Sequence, residues 1–193
     1  PDSLRQVEYY YTLKGLNSYM LKDYDKTIEN YKEILTIDTS YNNYITLTMI
    51  GETYDAMNMM DSALYYYELQ YKIDSNNAYL LNNYAYSLSK VNKDLDKALM
   101  MSEKTLEDSP DNSAYLDTYG WIKFQLKDYE TALKYIKKAV EIGGVSAEVY
   151  EHLGDTYLKL GNIEKARESY TKSLEMEANR FNLEDKINIK TGK

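Results

Sequence analysis

The sequence predicts an all-α stack of paired helices, and three observations predict it. Helix breakers are scarce, with two prolines and eight glycines in 193 residues, which favours long helices over a many-turned β fold. A small residue returns at one slot roughly every 34 residues, the period of a helical repeat: Gly15, Gly51, Ala85, Gly120 and Gly154. A second small slot keeps step with it: Thr27, Ala63, Ala98, Ala132 and Ala166. Glycine inside a helix costs about 1 kcal/mol against alanine. Its return at a fixed position therefore points to two helices that approach too closely for a larger side chain.

Around those slots, large apolar residues three and four positions away mark the buried stripe of each helix. Five repeats are predicted, over 8–41, 44–77, 78–112, 113–146 and 147–180, in a single array. The first carries Tyr11, Gly15, Thr27 and Tyr31, and departs from the pattern at Lys14 and Ser18. The second carries Leu47, Ile50-Gly51, Tyr54, Ala63 and Tyr67, and the third Leu81, Tyr84-Ala85, Ala98 and Pro110. The fourth has Leu116, Tyr119-Gly120, Ala132 and Ala139, and the fifth Tyr150, Leu153-Gly154, Tyr157, Ala166 and Tyr170. One such pair cannot bury its apolar face alone, so neighbours must stack. Beyond them, Phe181, Leu183, Ile187 and Ile189 predict a short closing helix within 181–193, with Thr191 to Lys193 frayed. At the other end, Tyr9-Tyr10-Tyr11 is apolar for an outer surface and predicts further repeats upstream.

The composition narrows the chemistry. A net charge of −8 repels phosphate backbones, so nucleic acid is not the expected partner. No run of apolar residues is long enough for membrane insertion. There are no cysteines and one histidine, so no cofactor, metal or catalytic constellation is expected. Gly143-Gly144 lacks the residues of a phosphate loop and reads as a helix C-cap. The 23 tyrosines against two phenylalanines and one tryptophan suit thin helical layers, where rings pack and hydroxyls reach water. His152 reads as a surface or groove-lining residue.

The slots Tyr150, Leu153-Gly154, Tyr157, Ala166 and Tyr170, with their earlier copies, resemble the tetratricopeptide repeat (TPR). The likeness is closest to bacterial members through Leu116-Asp117-Thr118-Tyr119-Gly120-Trp121 and Asn82-Asn83-Tyr84-Ala85. It implies a right-handed superhelical solenoid whose first helices line a concave groove for a protein or peptide. It also implies a non-enzymatic scaffold, with either the cell envelope or the cytoplasm as its place. In the family register the groove residues are Glu52 and Asp55, then Asn82, Asn83 and Tyr86. Asp117, Thr118, Trp121 and Phe124 follow, then Glu151, His152 and Asp155. Asn82 and Asn83 stand out because asparagine is a poor helix-interior residue. Tyr86 and Trp121 hold equivalent slots, as aromatic anchors suited to binding. The acidic lining favours a neutral to basic segment or a partner's helix. The alternative is a structural module that packs on itself or forms a homo-oligomer. An accessory of an envelope enzyme system is the remaining reading.

Overall fold

The computed structural model describes residues 2–37, 44–178, 180 and 183–188. Among these residues there are eleven helices and no strand. They are α1 (Asp2–Met20), α2 (Tyr24–Ile37), α3 (Tyr44–Ala56), α4 (Met60–Ile73), α5 (Ala78–Lys90) and α6 (Leu95–Asp108). They continue as α7 (Ser113–Gln125), α8 (Tyr129–Ile142), α9 (Ala147–Lys159), α10 (Ile163–Met176) and α11 (Leu183–Ile187). The chain divides into two compact units, residues 1–87 and 88–193, with the division inside α5. In the first unit α1 packs on α2, α2 on α3 and α3 on α4. In the second, α6 to α10 pack on one another in sequence order, and α11 packs on α10.

The glycine slots are the points of closest approach. A Cβ added at Gly15 would fall 2.6 Å from the Tyr31 ring, and one at Gly120 2.6 Å from Ile136 Cγ1. Such a distance is inside van der Waals contact, so the first and second helices of a pair touch because these residues lack side chains. Tyr31, Ile34 and Ile50 centre the core of the first unit. Leu116, Ile136, Leu153 and Tyr170 belong to that of the second, which α11 joins through the fully buried Leu183. Phe181, Ile189 and Thr191 to Lys193 lie outside the described residues.

Several tyrosines, including Tyr31, Tyr67 and Tyr170, are fully buried or nearly so. The tyrosine-rich interior is therefore deeper than rings with wet tips would require. Tyr170 and Tyr84 donate their hydroxyls to Asp155 and Glu68, at 2.8 and 2.7 Å, while the buried Tyr31 hydroxyl has no hydrogen-bond partner among the described residues. Ser18, at a slot where an apolar residue is expected, is also buried.

Each pair turns through a left-handed residue at a repeating place, Lys22, Asn58, Asn92, Lys127 and Gly161, and the third turn adds a second, Asp94. Only Gly161 is glycine, so composition hides this feature. The next position caps the second helix in most pairs. Asp23, Asp128 and Asn162 accept from the backbone N–H of Lys26, Thr131 and Lys165, satisfying a donor that the first turn leaves open. Met59 holds that place before α4 with similar backbone angles and no side-chain bond. Buried threonines inside the helices hand their hydroxyls back to a carbonyl one turn earlier, as Thr53 does to Met49 and Thr156 to His152.

Candidate functional site

The first unit brings Glu52 and Asp55 of α3 against α5. Asn83 Nδ2 donates to Glu52 Oε1 at 3.1 Å, and Asn82 Nδ2 donates to Asn83 Oδ1 at 3.3 Å. Ser87 donates to Asp55, and the Tyr79 hydroxyl also bonds Glu52. The two asparagines singled out by their poor helix propensity thus form a relay ending on a carboxylate. Burial raises the Glu52 pKa above its ordinary value, and the bonds from Tyr79 and Asn83 offset this only in part. Burial and the adjacent Glu52 push the Tyr79 phenol up to about 12. Asn82 is itself buried, and its Oδ1 has no hydrogen-bond partner among the described residues, so it offers little surface to a ligand. Tyr86, also on α5, is half-buried.

The second unit corrects the reading of its own candidates. His152 does not lie at a surface or line an open groove; it is 5% exposed. Its Nδ1 lies 3.1 Å from both carboxylate oxygens of Asp117. Asp117 and Thr118, also expected on the lining, are buried at 6% and 3% exposure. The reason is that α7 and α9 approach one another, and Asp117 and His152 meet across that contact rather than facing solvent. Trp121 is half-buried and stacks on His152, with ring centroids 3.9 Å apart, and on Phe124 at 4.6 Å. Packing therefore accounts for one face of the indole and contact with Phe124 for the other.

Glu151 and Asp155 are not an open acidic lining either. Arg180 donates to Glu151 through Nη2 at 2.6 Å and Nε at 3.1 Å. Lys186 of α11 reaches Glu151 at 3.0 Å and Asp155 at 2.7 Å. Burial pushes the Glu151 pKa up, but the hydrogen bonds and charges of Arg180 and Lys186 outweigh it and leave it lowered. Tyr170 completes the set by donating to Asp155. Sequence reasoning missed Arg180 and Lys186, because it weighed only the apolar residues of the closing segment. No spacing rule links Lys186 to Asp155, 31 residues earlier, until the chain folds back after α10.

Comparison with known proteins fits this architecture. The family model for anaphase-promoting complex, cyclosome, subunit 3 matches residues 91–173. A TPR repeat-containing protein of Methanocaldococcus jannaschii is 38% identical over 101 residues, which cover 52% of this chain and 17% of that relative. A thermophilic TPR protein of Thermus thermophilus superposes with a TM-score of 0.72 at 17% identity, covering 93% of this chain and 96% of the other. The chain has the fold of tetratricopeptide-repeat proteins.

MamA of Desulfovibrio magneticus is similar to this chain in fold, with a TM-score of 0.70 at 16% identity over 91% of this chain and 97% of that one. At such identities the likeness is one of fold alone. The Methanocaldococcus relative extends far beyond the matched segment, which spans under a fifth of that relative's length. The TPR fold supports a general role as a protein-interaction scaffold. Among the described residues, no helix is long and apolar enough to cross a membrane.

Proposed function

We propose that this TPR protein is a non-catalytic scaffold whose first unit takes a basic segment of a protein partner along α3 and α5, with Glu52 as the anchor. One observation carries the reading: the second unit contains the complement of the same position. Glu52 follows Gly51 as Asp155 follows Gly154, and Tyr67 lies against Gly51 as Tyr170 lies against Gly154. At Asp155 the chain supplies Lys186. At Glu52 the bonding groups from α5 are Asn83 and Tyr79, which are neutral. A half-buried carboxylate held by neutral donors keeps an uncompensated field, and an arginine or lysine side chain is what relieves it. Tyr79 is 52% exposed beside it, and its ring offers a cation a face to lie on.

The test is binding of short peptides bearing one arginine or lysine, compared with the same peptides bearing glutamine. Glu52→Gln is expected to weaken the basic peptide by about tenfold, or 1.4 kcal/mol, and to flatten its salt dependence. Equal affinity of both proteins for it would remove Glu52 from the interface.

A second reading, self-association, is favoured by α1. Tyr9, Leu13, Leu16 and Met20 are 65%, 47%, 41% and 81% exposed, and they share one face with the alternating four- and three-residue spacing that seats two helices together. Light scattering of the isolated protein is expected to give a dimer if that stripe pairs with its copy, and Leu13→Glu should return a monomer. A monomer at every concentration tested ends this reading.

A further inference from the structure

A hollow lies between α8, α9 and α10 in the second unit. It has a volume of about 210 Å³, and Val140, Leu153, Tyr150 and Tyr157 are among the residues that line it. Lys165 and Lys172 stand on its rim. Their ammonium groups lie over those rings, Lys165 Nζ 5.5 Å from the Tyr157 centroid and Lys172 Nζ 5.7 Å from that of Tyr150. The two lysines are two helical turns apart on α10, roughly 10 Å along its axis. Each is oriented by the ring beneath it. The buried Ser169 hydroxyl is already donated to the Lys165 carbonyl at 2.8 Å, so the interior of the hollow presents mainly carbon.

Helix α9 therefore has two faces of opposite character. Tyr150, Leu153 and Tyr157 fall on one side at helical spacing, and Glu151, His152 and Asp155 on the other. The chain carries a net charge of −8, yet two lysines and one carboxylate, Glu168, surround this hollow. The local sign is reversed, which sets the partner.

We propose that this hollow is a docking site for an acidic peptide segment of a protein partner. One apolar side chain enters between Tyr150 and Tyr157, and flanking carboxylates meet Lys165 and Lys172. The apolar anchor is drawn by burial against Val140 and Leu153, and the charged rim selects what flanks it. Apolar pockets with few polar groups at their edges are the usual form of such sites.

The experiment uses the full chain and three labelled peptides: a phenylalanine flanked by glutamates, the same with alanine in place of phenylalanine, and the same with lysine flanks. Fluorescence anisotropy is expected to show the first binding about tenfold or more above the other two. Lys165→Glu with Lys172→Glu changes exposed side chains, and circular dichroism checks that the helices persist. That double variant should lose the acidic peptide and prefer the lysine-flanked one, while Glu52→Gln leaves the acidic peptide unaffected. The proposal is overturned if the phenylalanine and alanine peptides bind alike, if charge reversal leaves the preference unchanged, or if the acidic peptide does not bind.

Discussion

Asp117→Ala is expected to cost about 3 kcal/mol of stability, although the residue lies in a helix where alanine is the better former. Asp117 and His152 are both buried, and the carboxylate accepts from Nδ1 at 3.1 Å. Removing it strands a buried ring N–H, a loss of about 1–3 kcal/mol, and breaking a buried ion pair from one side costs about 3–5 kcal/mol. The lower part of that span applies, because the imidazole can respond by giving up its proton. Burial pulls the His152 pKa down, but the charge and hydrogen bond of Asp117 outweigh it, helped by Glu148 and Asp155, so the folded value is raised above the ordinary 6.5.

The sign of the pH dependence follows. The pair stabilises the fold fully below the unfolded value of 6.5, and the contribution is lost as pH rises through the elevated folded value. Urea unfolding at about pH 6 and about pH 9 should show the wild type losing stability at the higher pH. Asp117→Asn, which keeps an acceptor but no charge, should lose less than Asp117→Ala and show no such slope. Trp121 is the sole tryptophan and stacks 3.9 Å from His152, so its fluorescence reports the transition directly. A slope that survives in Asp117→Asn would assign the titration to another group.

Gly154→Ala is expected to destabilise by about 2 kcal/mol, as overpacking of a dense core does, despite a propensity gain of about 1 kcal/mol. The added Cβ would collide with three atoms of the Tyr170 ring, the third of them at 2.9 Å. Tyr170 has no exposed surface, and its hydroxyl is bonded to Asp155. It cannot yield without disturbing the carboxylate that holds Lys186 and, with it, α11. Gly51 occupies the same slot in the first unit, where a Cβ would meet Tyr67 at 3.1 Å. A shift of a few tenths of an ångström relieves that contact, so Gly51→Ala should be close to neutral. Thermal and urea unfolding of the two variants compare the sites. Equal stabilities would contradict the account of the glycine slots as points of helix contact.

Much of the fold is legible in the sequence because its signals are local and repeated. Gly15, Gly51, Gly120 and Gly154 announce the close approaches, and Tyr31, Tyr67, Ile136 and Tyr170 fill them. The turns are less legible. Lys22 and Lys127 adopt left-handed backbone angles that their side chains do not advertise, because the repeat imposes the turn and the residue tolerates it. The candidate site residues divide in the same way. Asn83 is recoverable from its helix position, since a residue unsuited to a helix interior signals a side chain with other work. His152 is misread when its neighbours along the chain are weighed, because Asp117 lies 35 residues away.

Residue order alone determined that this chain would form helices, which of their faces would be apolar, and where paired helices would touch, because periodicity and side-chain size act within a turn or a repeat. The tertiary structure decided which polar groups are paired within the chain. Glu52 and Asp155 occupy one slot, yet among the described residues only the second is met by a cation, Lys186, from the chain that folds back after α10. Whether a carboxylate remains available depends on the charges brought to it through space, and contacts between residues so far apart in sequence leave no periodic trace.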